Sequence, residues 1–491
     1  MVSSVNWKSR LAIFPRFGNT RPQMSFRSNH FSVSYRELLR VALPLIITSA
    51  SFTMLHFCDR MFLSWYSPTA IQAVVPAGIL SFTLISFFMA LCAMCNSFVA
   101  QYYGAGEYEN CSRSVAQALL MALLSLPLIW MLIPVGIQLL AWSGHAPEVF
   151  AQEKTYLSIL MLGGVNAPLT AAAGSFYSGR GKTRVIMLAH LIGNSTNVLL
   201  NWLLIFGHGP FPAMGIKGAA IASLVAGFVA PSILLVLYFS KTNSEVYRTR
   251  AMLRFNRPLF LRMLRFGLPS GVHMVLDVGS FSLFVLLLGR LGETAFLASN
   301  IVLSINMIAF MPSIGIGQAA SVLVGQCMGR GDTDEAEAAA WKAARVAWIY
   351  TLIVVSSFVC FPQEYIHVFA RGDVMFSEVF DTARMLLLFA AAWGLMEATN
   401  AVLSSALRGA GDTHFVMWFH TAIAWGVFAL GEALIVLVFH FNVLAAWGWA
   451  IMYFVLLASG WTWRIRSGRW KRIELIERAS PDVEQAAGVP V

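Results

Sequence analysis

Four acidic side chains fall inside long apolar segments of this 491-residue sequence, whereas its other acids lie in polar connections or near the chain ends. A carboxyl group within an apolar segment of membrane length is costly, because no water is present there to solvate its charge. In membrane proteins such a residue typically belongs to an ion or substrate pathway. The primary site candidates are therefore Asp59, Asp277, Glu397 and Glu432.

Two of these acids have a histidine on the same helical face. His56 lies three residues before Asp59, and His273 lies four residues before Asp277. Residues at these spacings are neighbours on a helix, and histidine titrates near physiological pH. Each pair is therefore a possible proton relay. The alternative is that both histidines only pack against their surroundings.

Two amide side chains also share a helical face. Asn197 and Asn201 are four residues apart in the fifth apolar segment. Their amide oxygens can coordinate a cation or accept a hydrogen bond from a protonated acid. Asparagine also joins membrane helices without any transport role, so these residues alone leave both interpretations open.

The composition places the apolar segments in a membrane. Hydrophobic residues make up 58% of the chain and charged residues 12%, which is too apolar for a soluble protein of this length. A spanning helix needs about 20 apolar residues, and segments of that length recur along the chain, separated by short polar turns. We therefore predict an all-α membrane protein with twelve transmembrane helices.

An internal repeat predicts two pseudo-symmetric six-helix lobes. Several residues recur at one offset of 225 positions, which is typical of a duplicated unit. The recurring pairs are Pro44 and Pro269, Gln101 and Gln326, Gly104 and Gly329, and Gly106 and Gly331. The predicted parts are an N-terminal tail (1–34), an N-terminal lobe (35–240), an inter-lobe loop (241–265), a C-terminal lobe (266–465) and a C-terminal tail (466–491).

The distribution of positive charge predicts the orientation. Of the 34 lysines and arginines, 28 lie at the two ends, in the inter-lobe loop and in alternate connections on the same side. Because cytoplasmic loops carry the excess of positive charge, we expect both termini and the inter-lobe loop to be cytoplasmic. Anionic membrane lipids are the expected partner of this charge. No folded basic domain is present, so we expect no nucleic-acid partner.

Three observations argue against a metal site, a phosphate-binding loop and a catalytic motif. Cys92 and Cys95 have the CxxC spacing but no acid or histidine nearby, so we expect packing and no structural metal. The turn at 179–184 is rich in glycine and basic residues but lacks the spacing of a phosphate loop. No HExxH or GxSxG motif occurs, and the chain is not expected to be an enzyme.

Across residues 35–465 the chain resembles the multidrug and toxic compound extrusion (MATE) transporters, and the bacterial NorM-type branch most of all. The resemblance is carried by several motifs together, each of which is weak alone. They are Asp59-Arg-Met-Phe-Leu, Val99-Ala-Gln-Tyr-Tyr-Gly-Ala-Gly106, Asn197-Val-Leu-Leu-Asn-Trp202, Gly215-Ile-Lys-Gly-Ala-Ala220, Gly267-Leu-Pro269 and Leu407-Arg-Gly-Ala-Gly-Asp412.

The resemblance implies a cation or proton site in each lobe. In the N-terminal lobe it implies that Asp59 is the site acid and that Asn197, Asn201 and Ser223 are its polar partners. Some family members carry Asp at the position of Asn201. That difference removes a negative charge and makes tight sodium binding less secure.

In the C-terminal lobe the resemblance implies a site formed by Asp277, Trp393 and Glu397. Trp393 and Glu397 stand at positions that resemble those of a Tyr and an Asp in NorM-type members. The missing phenol removes a possible sodium ligand but leaves the paired acids. Glu432 has no counterpart in the family pattern, and it stays open between a site residue and a packing residue.

The expected function is that of a secondary antiporter, which exchanges protons or sodium for amphiphilic, often cationic organic compounds by alternating access. We expect a monomer in a bacterial inner membrane that needs no cofactor beyond the coupling ion. The alternative is a flippase of a lipid-linked saccharide. It ranks second, because a pyrophosphate group needs a cationic cavity and acids outnumber bases at membrane depth here.

Overall fold

The computed structural model describes residues 32–368 and 376–477, and the regular secondary structure within them is helical throughout. Eleven helices are long and apolar enough to cross a membrane. A twelfth, α5, is 24 residues long, but its three asparagines and two basic residues lower its hydropathy. In chain order the helices are α1 (Tyr35–Tyr66), α2 (Pro68–Gly104), α3 (Tyr108–Met131), α4 (Pro147–Ser178), α5 (Thr183–Phe206), α6 (Gly215–Tyr238), α7 (Arg257–Leu288), α8 (Glu293–Arg330), α9 (Thr333–Cys360), α10 (Phe376–Ala410), α11 (Thr413–Val438) and α12 (Val443–Arg466).

The prediction of an all-α membrane protein with two six-helix lobes is confirmed. One apolar cluster lies within α1–α6. A second is formed mainly by α2–α6 together with the start of α7, and the largest is formed by α7–α12 together with the first half of α1. Three shorter helices lie between the long ones: Ile133–Trp142, Lys241–Tyr247 and Pro362–His367. The domain boundaries drawn from the sequence stay predictions. One of these short helices, Lys241–Tyr247, lies in the connection between α6 and α7.

The repeated glutamines join the two lobes by reciprocal hydrogen bonds. Gln101 Nε2 donates to the carbonyl oxygens of Gly409 at 3.1 Å and Ala410 at 3.2 Å. Gln326 Nε2 donates to the carbonyl oxygen of Gly179 at 2.8 Å. Gly179 and Gly409 are the corresponding turns that follow α4 and α10. Each lobe therefore holds the other by the same contact.

Two repeated glycines allow the lobe backbones to touch at this seam. A Cβ atom at Gly104 would overlap the carbonyl group of Gln326, and one at Gly329 would overlap that of Gln101. We call these four residues the glutamine seam. It lies on the face that carries the α6–α7 connection, which we call the central-loop face. The lobes are thus closed against each other at that face.

The described chain continues past α12 as packed structure. Within the predicted C-terminal tail (466–491), Trp470 and Leu475 are fully buried and Ile476 is nearly so. The start of this segment therefore packs against the helices. Residues 1–31 and 478–491 lie outside the described residues.

Gly329→Ala tests the glutamine seam. The added methyl group would meet backbone atoms that cannot move alone, so we expect the stability to fall by about 1–3 kcal/mol, as overpacking of a tight interface does. The measurement is thermal unfolding of the purified protein in detergent.

Gly174→Ala in α4 is the matched control, because a Cβ there has its nearest neighbour at 4.0 Å. That variant should be as stable as the wild type or slightly more so. Equal melting temperatures for Gly329→Ala and the wild type would show that the seam tolerates a side chain.

Candidate functional site

A continuous hydrogen-bonded network in the N-terminal lobe connects four predicted site residues. Asn201 Nδ2 donates to Asp59 Oδ1 and also, at 2.7 Å, to Asn197 Oδ1. Asn197 Nδ2 donates to Ser223 Oγ at 3.2 Å. Asp59, Asn197 and Asn201 are buried. The structure therefore brings these four side chains of α1, α5 and α6 together.

The four-residue spacing on α5 explains why both amides serve one network. It places Asn197 and Asn201 on the same side of the helix, toward α1 and α6. The amino group of Asn201 donates twice, whereas its buried Oδ1 atom accepts no hydrogen bond within residues 32–368 and 376–477. The described network therefore contains one oxygen acceptor without a donor. It is available to a proton donor or a small cation.

A fifth residue of the N-terminal network was missed. Tyr156 of α4 is buried and lies beside Ser223 and Asp59. A tyrosine in an apolar segment is usually a packing residue, so the sequence carried no signal for it. Asn194, by contrast, donates to Ser51 Oγ at 2.9 Å and takes no part in the network.

The predicted pairing of His56 with Asp59 is not formed. His56 is exposed, its nearest charged neighbour is Arg60, and among the described residues it makes no hydrogen bond to the carboxyl group. The physical reason is the orientation of α1. Asp59 points into the lobe toward α5, and a side chain three residues earlier lies at the edge of that buried face.

In the C-terminal lobe the direct partner of Asp277 is a histidine of another helix. His420 Nε2 of α11 lies 3.1 Å from Asp277 Oδ1 of α7. The predicted partner His273 instead packs against His420, with 4.4 Å between ring centroids. The possible relay through His273 stays a prediction, and His273 lies close enough to Asp277 to act on it electrostatically. A histidine does face this acid, but it comes from across the lobe.

The two sides of this contact differ in exposure. The side chain of His420 is 3% exposed, whereas that of Asp277 is 45% exposed although it lies midway along a spanning helix. Asp277 therefore presents part of its carboxylate for a ligand, and His420 contacts it from the buried side.

Two further groups surround the histidine contact. The Tyr453 hydroxyl group of α12 lies 3.2 Å from His420 Nε2. Arg408 of α10 is close enough to act electrostatically on Asp277 and His273, and its Nη2 donates to Ser405 Oγ at 2.9 Å. In the sequence, Arg408 belongs to the motif Leu407-Arg-Gly-Ala-Gly-Asp412. The available signal for His420 was a histidine well inside the apolar segment of α11.

Glu397 occupies the same lobe but has its own partners. Its Oε2 atom accepts from Asn306 Nδ2 of α8 at 3.2 Å. Trp393 lies beside this carboxyl group, and its ring stacks on Trp447 with 4.8 Å between ring centroids. Tyr453 lies near both Glu397 and Asp277. The three predicted C-lobe residues thus surround one region, in which Trp393 and Glu397 are neighbours.

Glu432 stands apart from these groups. It is 1% exposed, and neither carboxyl oxygen has a hydrogen-bond partner among the described residues. It lies between two π-helical stretches of α11, Ala424–Ala429 and Leu434–Val438. Such stretches often occur at functional sites, but no contact links Glu432 to Asp277.

Comparisons with known proteins agree with this architecture. The profile of the MatE family matches residues 44–203 and 269–430, one match in each lobe. The chain is 28% identical to the probable multidrug resistance protein NorM of Rhizobium meliloti over 409 residues, which cover 81% of this chain and 86% of that protein. It is 27% identical to the multidrug resistance protein NorM of Vibrio cholerae over 399 residues, which cover 80% and 85%.

Solved structures show the same fold at lower identity. An outward-facing multidrug resistance MATE transporter matches with a TM-score of 0.80 at 19% identity, covering 89% of this chain and 97% of that one. A eukaryotic MATE transporter matches with a TM-score of 0.78 at 19% identity, covering 89% and 96%.

Proposed function

Because this chain belongs to the MatE family, we propose that it is a multidrug efflux transporter that works as a secondary antiporter. It exports amphiphilic, often cationic organic compounds in exchange for protons or sodium, by alternating access. The observation that carries this proposal is Asp277, a carboxyl group at membrane depth whose side chain is 45% exposed. An anionic group in that position attracts a cationic ligand.

The N-terminal network supports a second, smaller cation site. Asp59 and the free Oδ1 atom of Asn201 are adjacent oxygen acceptors in a buried place. The surrounding amide groups carry no charge. A bound proton or small cation would therefore neutralise the negative charge of the Asp59 carboxylate. The two lobes together then provide one site for the cargo and two positions for the coupling ion.

We favour the proton as the coupling ion. Hard cations prefer several oxygen ligands, whereas Asp277 is met by an imidazole ring and Glu397 by one amide group and an indole ring. Imidazole exchanges protons near neutral pH. Sodium coupling would need further oxygen ligands from water or from the cargo.

Alternating access requires that the lobes separate at the closed face. The glutamine seam combines a few reciprocal hydrogen bonds with close backbone contacts, and a packed interface of this kind can have two discrete arrangements. The positive charge of the connections supports a cytoplasmic position for the central-loop face. A bacterial inner membrane and a monomer without cofactor fit this assignment. The saccharide flippase is not favoured, since the site groups at membrane depth are mainly acidic.

Asp59→Asn and Asp277→Asn test proton coupling. Each change removes a carboxyl group that can bind a proton, so we expect both variants to lose drug-induced alkalinisation of acid-loaded inside-out vesicles. Wild-type exchange should persist without sodium. The matched control is Glu109→Gln at the central-loop face, which makes the same acid-to-amide change on the surface and should keep full activity. Transport that requires sodium and ignores a pH gradient would refute the proton assignment.

Cysteine labelling tests the orientation. His208 and Lys182 are exposed on opposite faces, so single-cysteine variants at these positions should react differently with a reagent that does not cross membranes. In intact cells we expect His208→Cys to be labelled and Lys182→Cys to be protected. The reverse pattern would place the central-loop face outside.

A further inference from the structure

We propose that His420 is the residue at which the C-terminal lobe exchanges a proton for the organic cation. This inference rests on the proposed antiport function and places the proton exchange at the contact between His420 and Asp277. His420 lies on the buried side of Asp277, and the cargo would approach from the open side. Both partners therefore compete for the same carboxylate.

The surroundings of His420 allow one mobile positive charge. The groups that face it are Asp277 and His273 of α7, Arg408 of α10 and Tyr453 of α12. Two imidazolium rings with centroids 4.4 Å apart would repel each other. Arg408 already supplies one permanent positive charge near Asp277. A second charge at His420 is stable only while the carboxylate is free to pair with it.

The exchange balances in atoms and charge. With the site empty of cargo, His420 carries a proton on its ring and pairs as imidazolium with the Asp277 carboxylate. When an organic cation binds the open side of Asp277, the imidazolium loses its counter-charge and releases one proton to water. One cation is bound for one proton released, and the net charge of the site does not change. In reverse, a proton from outside displaces the cargo.

The ring has a position to accept that proton. His420 Nδ1 is buried and has no hydrogen-bond partner in the described part of the chain. The matched control is His190 of α5, a histidine of the N-terminal lobe that packs against Phe52.

The experiment measures protons released when tetraphenylphosphonium binds the purified protein. All variants carry Asp59→Asn, so that the N-terminal network does not contribute. With His420 present, we expect about one proton released per cation bound, and weaker binding as the pH falls. His420→Gln should bind the cation with little proton release and lose most of that pH dependence. His190→Gln should keep both.

Unchanged proton release in His420→Gln would overturn the proposal. If that variant does not fold, histidine NMR of the parent protein decides: the His420 resonances must change from the charged to the neutral form when the cation binds, and an unchanged spectrum overturns the proposal. The broader function is tested separately by cation transport in liposomes. If the protein releases a proton on binding the cation but does not transport the cation, the antiport function fails while the role of His420 stands. The two failures are therefore distinguishable.

A different observation concerns the segment 469–477, which we call the C-terminal strap. Lys471 Nζ lies 2.9 Å from an Asp334 carboxylate oxygen and 2.7 Å from one of Glu337, so this end is fixed to α9 of the C-terminal lobe. Leu475 and Ile476 are buried in the apolar cluster that contains Val99 and Tyr102 of α2 and Leu259 and Met263 of α7, and Glu477 lies near Tyr102. One end of the strap is therefore fixed to α9, and the other is packed where α2 and α7 meet.

We infer that the C-terminal strap holds the central-loop face closed. Leu475 also contacts Gly411, which follows the turn that Gln101 binds in the glutamine seam. The lobes cannot separate there while both anchors remain in place. The apolar anchor dominates, because the Glu477–Arg262 ion pair involves a carboxylate that is 75% exposed and such pairs contribute little.

Spin labels at Arg184 and His414 measure the distance across this face. Both positions are exposed at the corresponding starts of α5 and α11. We expect a chain that ends after Gly468, and full-length Leu475→Ser, to shift this distance distribution toward longer values. A chain that ends after Ala479 keeps the strap and should match the full-length protein. Identical distributions in a folded strap-deleted chain and this control would overturn the inference.

Discussion

The cost of placing a carboxyl group in an apolar interior governs the organisation of both lobes. An unsatisfied buried polar group costs about 1–3 kcal/mol, and more when it is charged. Asp59 and Asp277 therefore require partners, and a helix cannot supply them from its own neighbouring turn alone. The partners come from α5 for Asp59 and from α11 for Asp277. Each acid thereby connects helices that are distant in sequence.

The two lobes meet this requirement with different chemistry. In the N-terminal lobe amide groups surround the acid, and amides do not change charge in the physiological range. In the C-terminal lobe an imidazole ring faces the acid, and its charge depends on pH. The duplication thus preserved the helical framework but not the side chains of the sites. This asymmetry suits a division between binding an ion and exchanging a proton for cargo.

The lobes are joined at one face by backbone contacts, which explains the repeated glycines and glutamines. Gly104 and Gly329 are required because a side chain would overlap the opposite backbone. Gln101 and Gln326 then satisfy carbonyl groups of the partner lobe. Contacts of this type are specific in geometry but limited in number. They can define one end state of a transport cycle without preventing the other.

The sequence by itself determined the class, the twelve helices and the acids at membrane depth, because these follow from local composition and from segment length. It also identified Asn197 and Asn201, since residues four apart share a helical face whatever the fold. Only the tertiary structure decided which helices face one another. His420, Tyr156 and Arg408 come from segments far from the acids they surround, so no spacing in the sequence could relate them. For the same reason His56 and His273, both correctly spaced, do not touch the acids: spacing selects a face of one helix, whereas packing selects what that face meets.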